Sequence, residues 1–180
     1  MIKILLFLTT YLGLAGDLSA QKDKKNWYGI KGGINHTDIN GFETNGTRTG
    51  FTGTSIYGAL FNETHIGHTT FLVTELLFSW TNDWHFIEVP FHIKQMLNDK
   101  LGIFVGPKLD FAADKFDKQK ADKSGLCGVS AETGVQFNFT SRIFVEGRYS
   151  IGLSKQFRDE AFDINDGKRN NIRFGAGFRF

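Results

Sequence analysis

Eight runs of alternating polarity, connectors that alternate long and short, and a last run that ends the chain on Phe180 predict an all-β protein. The fold class they point to is an eight-stranded antiparallel up-and-down transmembrane β-barrel with short periplasmic turns and longer extracellular loops. In the last run, residues 171–180, Ile172, Phe174, Ala176, Phe178 and Phe180 fall on one face, and Arg173, Gly175, Gly177 and Arg179 fall on the other. A soluble sheet turns its greasy face to a core. A barrel in a bilayer turns it to lipid and leaves the polar face for the lumen.

The chain of 180 residues is long enough for one domain. It holds 21 Gly and 19 Phe but only 2 Pro, and its formal charge of +2 gives no reason to expect nucleic acid or an acidic partner. No stretch of the body approaches the roughly 20 apolar residues of a spanning helix. The mean hydropathy of −0.22 still allows a barrel, whose alternation averages to near neutral. Cys127 is the one cysteine, so no internal disulfide forms, and it reads as an inert apolar residue facing lipid or core.

At the start, Lys3 supplies a positive charge, residues 4–15 are apolar, and Asp17-Leu18-Ser19-Ala20-Gln21 offers a small-residue cleavage site. Residues 1–20 are therefore expected to be a signal peptide, cut after Ala20 or near Ala15, and residues 21–180 the barrel domain. The expected location is the bacterial outer membrane.

Run by run, residues 27–37 set Tyr28, Ile30 and Ile34 against Lys31 and Asn35. Residues 50–62 leave the register open, because Phe51, Tyr57 and Phe61 compete with Ile56 and Leu60 for the apolar face. In residues 68–80, Leu72, Leu76, Phe78 and Trp80 oppose Phe71, Val73, Glu75 and Leu77, and the charge marks the lumen side. Residues 84–97 set Ile87, Val89, Phe91 and Ile93 outward against Glu88, His92 and Lys94. Residues 101–113 set Ile103, Val105, Leu109 and Phe111 against Lys108 and Asp110. The sixth run sets Cys127, Val129, Ala131, Val135, Phe137 and Phe139 against Glu132, Gln136 and Asn138. The seventh sets Ile143, Val145, Tyr149, Ile151 and Leu153 against Glu146, Arg148 and Ser150.

Connectors 41–49, 81–83, 114–124 and 155–170 are mostly long and polar, whereas 63–67, 98–100 and 140–141 are short. An outer-membrane barrel segregates loop length by end in this way. A soluble eight-stranded barrel would share the alternation but would wet the charged face and crowd its core with Phe. Aromatic residues near run ends, Trp27, Tyr28, Trp80, Trp84, Phe139, Phe178 and Phe180, fit interfacial girdles. Pro90 and Pro107 fall inside runs where a closed barrel has no edge for a missing N–H, so a bulge is expected at each.

Three segments carry a resemblance: Phe86-Ile87-Glu88-Val89-Pro90-Phe91-His92-Ile93-Lys94, residues 102–107 with Gly106-Pro107, and Phe144-Val145-Glu146-Gly147-Arg148-Tyr149-Ser150-Ile151-Gly152-Leu153. With the closing Phe-Arg-Phe they resemble the PorT-like family of small outer-membrane β-barrel proteins. The resemblance implies a surface-exposed outer-membrane barrel and makes the two prolines family features. The family's founding member takes part in a secretion pathway, while most relatives have no assigned activity.

Glu75, Glu88, His92, Lys94, Lys108, Asp110, Glu132, Glu146, Arg148, Arg173 and Arg179 form the candidate set on the minor face. A proton relay would use such residues, but a salt-bridge network that closes a narrow lumen is the plainer reading, because buried charges must be paired. No Ser sits at strand spacing from a His on an outward face, so no enzyme is expected. His36, His65, His68 and His85 are dispersed, and His65 with His68 gives two metal ligands without a third. No metal and no cofactor is expected. The four glycosylation sequons, at Asn35, Asn45, Asn62 and Asn138, read as chance matches. The mixed-charge segment 114–124 reads as a solvated loop at the lipopolysaccharide surface.

The expected function is a structural or surface-interaction role through the extracellular loops. An accessory part in secretion and a narrow solute channel are the alternatives, the channel disfavoured because eight strands leave little open lumen. Expected partners are outer-membrane lipid and lipopolysaccharide, the barrel-assembly machinery reading Phe178 and Phe180, and a protein at the outer loops. The chain is expected to be a monomer.

Overall fold

A computed structural model describes residues 26–42, 46–80, 85–113, 127–154, 157–159 and 164–180. The expected leader, Trp84 and the segment 114–124 lie outside them. The strands are β1 (Trp27–Phe42), β2 (Arg48–His65), β3 (Thr70–Trp80), β4 (His85–Met96), β5 (Leu101–Ala113), β6 (Cys127–Asn138), β7 (Ile143–Gly152), β8 (Phe157–Asp159) and β9 (Ile164–Arg179). Each of β1 to β7 pairs antiparallel with its sequence neighbour, and β9 pairs with both β7 and β1. The result is a closed eight-stranded barrel, with β8 resuming the line of β7 along the start of β9. Phe180 N donates to the Tyr28 carbonyl at 2.9 Å, so the last residue takes part in the closing seam.

The alternation in the runs becomes an inside-out molecule. Among the described residues, twenty-six large apolar side chains are exposed, from Tyr28 to Phe180, against ten buried hydrophobic residues. The interior instead holds charged and polar groups. Such a surface suits a bilayer, where lipid supplies the apolar phase. The outward face of β7 stays apolar from Ile143 to Leu153, about the length a tilted strand needs to cross.

In β2, the strand whose register the sequence left open, Tyr57, Ala59, Phe61 and Glu63 point inward, while Ile56 and Leu60 point out. Glycine decides it. A Cβ on Gly29 would collide with the Phe61 ring, and one on Gly175 with the Tyr57 hydroxyl. Gly134 and Gly177 leave the same space for Phe104 and Phe144. Each inward aromatic thus fills room that a neighbouring strand vacates, which an eight-stranded lumen requires.

Two expectations need correction. The connectors 41–49 and 155–170 are strand over much of their length, since β1 runs on to Phe42, β2 begins at Arg48, and β9 begins at Ile164 rather than at residue 171. Their residues read as loop because, beyond the apolar belt, the outward face of a strand no longer carries the greasy residues that mark alternation, although Gly41, Gly167 and Arg169 are still buried. The prolines, moreover, have no bulge. The β4–β5 register is the same on both sides of an opening that runs from Pro90↔Lys108 to Ile93↔Val105. Pro90 lies in a matching opening of the β3–β4 ladder, between Thr74↔Phe91 and Leu77↔Glu88, whereas Pro107 lies in this opening of the β4–β5 ladder. Gly106 lies in it, where a Cβ would collide with the Phe91 carbonyl. Val89, placed outward by period, is only 8% exposed beside this irregularity.

Candidate functional site: a lumen closed by ion pairs

The inward positions of all eight strands meet on the barrel axis, and period two delivers charges there from β1 to β9. They fall into three connected layers. Nearest the long-connector end, Lys108 Nζ lies 2.9 Å from Glu88, 3.2 Å from Asp110 and 3.6 Å from Glu132. Arg169 reaches Glu88 at 3.1 Å and Asp110 at 3.2 Å. Arg173 donates to both carboxylate oxygens of Glu88 at 2.5 Å, to Glu132 at 3.4 Å and to the Asn35 side-chain oxygen at 3.2 Å. Ser130 donates to Asp110, and Lys108 donates to Ser150 at 3.1 Å.

In the middle, Arg148 forms a fork on Glu75, with Nη2 to Oε1 at 2.7 Å and Nη1 to Oε2 at 2.9 Å. The same guanidinium donates to Glu132 at 3.0 Å and to Glu146 at 2.8 Å. Lys31 Nζ lies 2.5 Å from Glu75 and 3.2 Å from Glu146. His92 sits between carboxylates, with Nε2 3.2 Å from Glu132 and Nδ1 3.8 Å from Glu75. At the short-turn end, Glu63 accepts from Lys94 at 2.5 Å and from Arg179 Nε at 2.9 Å. Arg179 also donates to Asn138 and to the Ser141 carbonyl, both at 3.2 Å.

Aromatic rings fill the space between layers and lie under the cations. Arg169 stacks 3.7 Å from the Phe86 ring centre, Arg179 4.5 Å from Phe144 and Arg148 4.9 Å from Phe104. These contacts stabilise desolvated guanidinium groups without adding charge. Between the middle and lower layers only a cavity of about 10 Å³ remains, room for about one water. Below the lower layer a vestibule of about 550 Å³ opens at the short-turn end.

All eleven residues of the charged set reach the lumen. Arg173 and Arg179 find their carboxylates across the lumen on β4, β6 and β2, and toward β1 Arg173 meets Asn35. Three charged members were missing from the set: Lys31, Glu63 and Arg169. Period two already puts Lys31 inside, and Arg169 has the parity of Arg173. Glu63 has the parity of Phe61 but falls in the expected connector 63–67. Phe178 and Phe180 face outward, their rings 5.8 Å apart at 67°. Among the described residues no group of three or more His, Cys, Asp and Glu is placed to hold a metal. The His65 ring packs 4.0 Å from Phe71, and His36 Nδ1 lies 3.1 Å from Thr54 Oγ1. Cys127 is exposed on the outward face.

The family model for the outer membrane protein beta-barrel domain matches residues 7–180 of this chain. Among solved structures, Ail, the attachment invasion locus protein of Yersinia pestis, crystallised with the heparin analogue sucrose octasulfate, is similar with a TM-score of 0.55 at 14% identity, over 87% of this chain and 99% of that one. Neisserial surface protein A is similar with a TM-score of 0.54 at 10% identity, over 85% of this chain and 97% of that one. At those identities the likeness is one of fold. No curated protein matches the sequence.

Proposed function

Because the chain belongs to the outer membrane protein beta-barrel domain family, we propose that it is an outer-membrane scaffold that presents an interaction surface at its outer end and conducts nothing through its lumen. The observation that carries this is the filled lumen: layers of paired charges and aromatic rings leave about 10 Å³ between the middle and lower layers. A second feature supports the outer end as the working surface. Beyond the apolar belt, β1 continues from His36 to Phe42, paired on one side with β2 and on the other with β9. With β8 beside β9, four strands extend past the belt by roughly 23 Å along β1, at about 3.3 Å per residue. Among the described residues, 48–55 of β2 pair with β1 alone, because the β3 ladder starts at Ile56↔Trp80. An unpaired edge of this length suits β-strand addition by an extended segment of another protein.

Two measurements test the proposal. Single-channel recording in planar bilayers should give no ion conductance; a steady open current would overturn the closed-lumen half. Pull-down with the intact barrel should capture a partner that is lost when Thr52 and Thr54, whose N–H groups face the edge, are both replaced by Pro; retention of every partner would overturn the edge.

A second reading, an accessory part in protein secretion, is favoured by the PorT-like segments around Pro90 and Arg148. Unchanged secretion of cargo after gene deletion would remove it.

A further inference from the structure

The charges of the lumen do not cancel layer by layer. The upper layer sets Lys108, Arg169 and Arg173 against Glu88, Asp110 and Glu132, and the middle layer sets Lys31 and Arg148 against Glu75 and Glu146. Both are balanced. The lower layer sets Lys94 and Arg179 against Glu63 alone, and both cations pair with that one carboxylate. The surplus positive charge sits where the lumen opens into the vestibule of about 550 Å³. Two rim residues, Asp99 and Lys100, add one charge of each sign and leave the surplus in place.

Lys94 has unused capacity as well as charge. An ammonium carries three donors, and among the described residues its one hydrogen-bond acceptor is Glu63, while the Phe71 ring lies 4.8 Å from Nζ. A buried cation with spare N–H groups, lining an open cavity, is the arrangement that binds an oxyanion. We propose that the vestibule at the short-turn end is a binding site for a carboxylate or phosphate group, held by Lys94 and Arg179 above a wall that includes Trp27. The group comes either from a small soluble anion or from an anionic lipid headgroup of the adjoining leaflet, and its charge completes the lower layer.

The test uses the full barrel in phosphatidylcholine nanodiscs, with Trp80→Phe and Trp84→Phe so that Trp27 alone fluoresces. Iodide should quench Trp27 more strongly than caesium, and inorganic phosphate or acetate should relieve the iodide quenching. Glu63→Gln, which leaves both cations without a carboxylate, should tighten phosphate binding by about tenfold or more. Lys94→Gln leaves Glu63 and Arg179 as a balanced pair, so it should keep the fold, checked by heat-modifiable gel mobility, and lose the preference for iodide. Equal quenching by iodide and caesium, or an unchanged preference in a folded Lys94→Gln protein, overturns the proposal. Nanodiscs containing phosphatidylglycerol separate the two sources. Loss of iodide access there assigns the site to the lipid headgroup; access that persists and is relieved by free phosphate assigns it to a soluble anion.

Discussion

Arg148→Met should be the most damaging single change in the lumen, and its cost can be worked from the middle layer. Arg148 and Lys31 together face Glu75 and Glu146, two charges against two, and Arg148 also supplies a donor to Glu132. Methionine keeps much of the side-chain volume and removes the charge, leaving one cation against two carboxylates in a site that water hardly enters. Removing one partner of a buried ion pair costs about 3–5 kcal/mol, most of it from the charge left behind. Charge balance, rather than loss of contacts, is therefore the quantity under test. Glu75→Gln alone leaves two cations against one carboxylate and should cost a similar amount. The double change, Arg148→Met with Glu75→Gln, restores one against one and should recover about 2 kcal/mol or more relative to the sum of the singles. The assay is equilibrium urea unfolding of the barrel refolded into lipid vesicles, followed by heat-modifiable gel mobility and tryptophan fluorescence. An Arg148→Met cost below about 1 kcal/mol, or additive singles, would refute the reasoning, because either result means water already screens the layer.

Gly177→Ala places a Cβ against the Phe144 ring, so it should destabilise by about 1–3 kcal/mol as overpacking does; adding Phe144→Leu should return part of that loss in the same urea assay. Deleting Phe180 removes the bond from its N–H to the Tyr28 carbonyl and the ring contact with Phe178, and is expected to lower the yield of inserted barrel in cells more than it lowers refolding in vitro. Membrane yield equal to that of the full chain would count against an assembly role for the terminal aromatic.

The two faces of β1, β3 to β7 and β9 were legible in the sequence because lipid and lumen demand opposite polarities at every second residue, and one inward charge fixes the parity even in β3, whose lumen face also holds Val73 and Leu77; Val89 of β4 is the exception. The β2 faces were not. Tyr57 and Phe61 are inward although both are large and aromatic, because the space they occupy belongs to Gly175 of β9 and Gly29 of β1. A single strand read alone cannot show that, since the vacancy lies on another strand more than a hundred residues away for Gly175 and Tyr57. The bulge expected at each proline is absent for a different reason. Each on its own calls for a bulge, but Pro90 sits in an opening of the β3–β4 ladder and Pro107 in one of the β4–β5 ladder, and the register is the same on both sides of each, so a missing donor is met by a locally opened ladder with no inserted residue.

Electroneutrality gave no help in finding the missing lumen charges. The set visible from the sequence holds five carboxylates, Glu75, Glu88, Asp110, Glu132 and Glu146, against five cations, Lys94, Lys108, Arg148, Arg173 and Arg179, with His92 beside them. A set already in balance carries no sign of being incomplete. The structure adds Lys31, Glu63 and Arg169, two cations and one carboxylate, and moves the interior of the described residues to seven against six. Parity along each strand, rather than summed charge, is what would have found them: 169 shares the face of 173 and 179, and 63 shares the face of 57 and 61. Buried charge in such a barrel is constrained locally, because an ion pair falls off with distance; the upper and middle layers join through Glu132, while Phe61, Phe104 and Phe144 stand between the middle and lower ones. A total near zero is thus compatible with a layer that is out of balance, and the layer that is out of balance here is the one that opens to water.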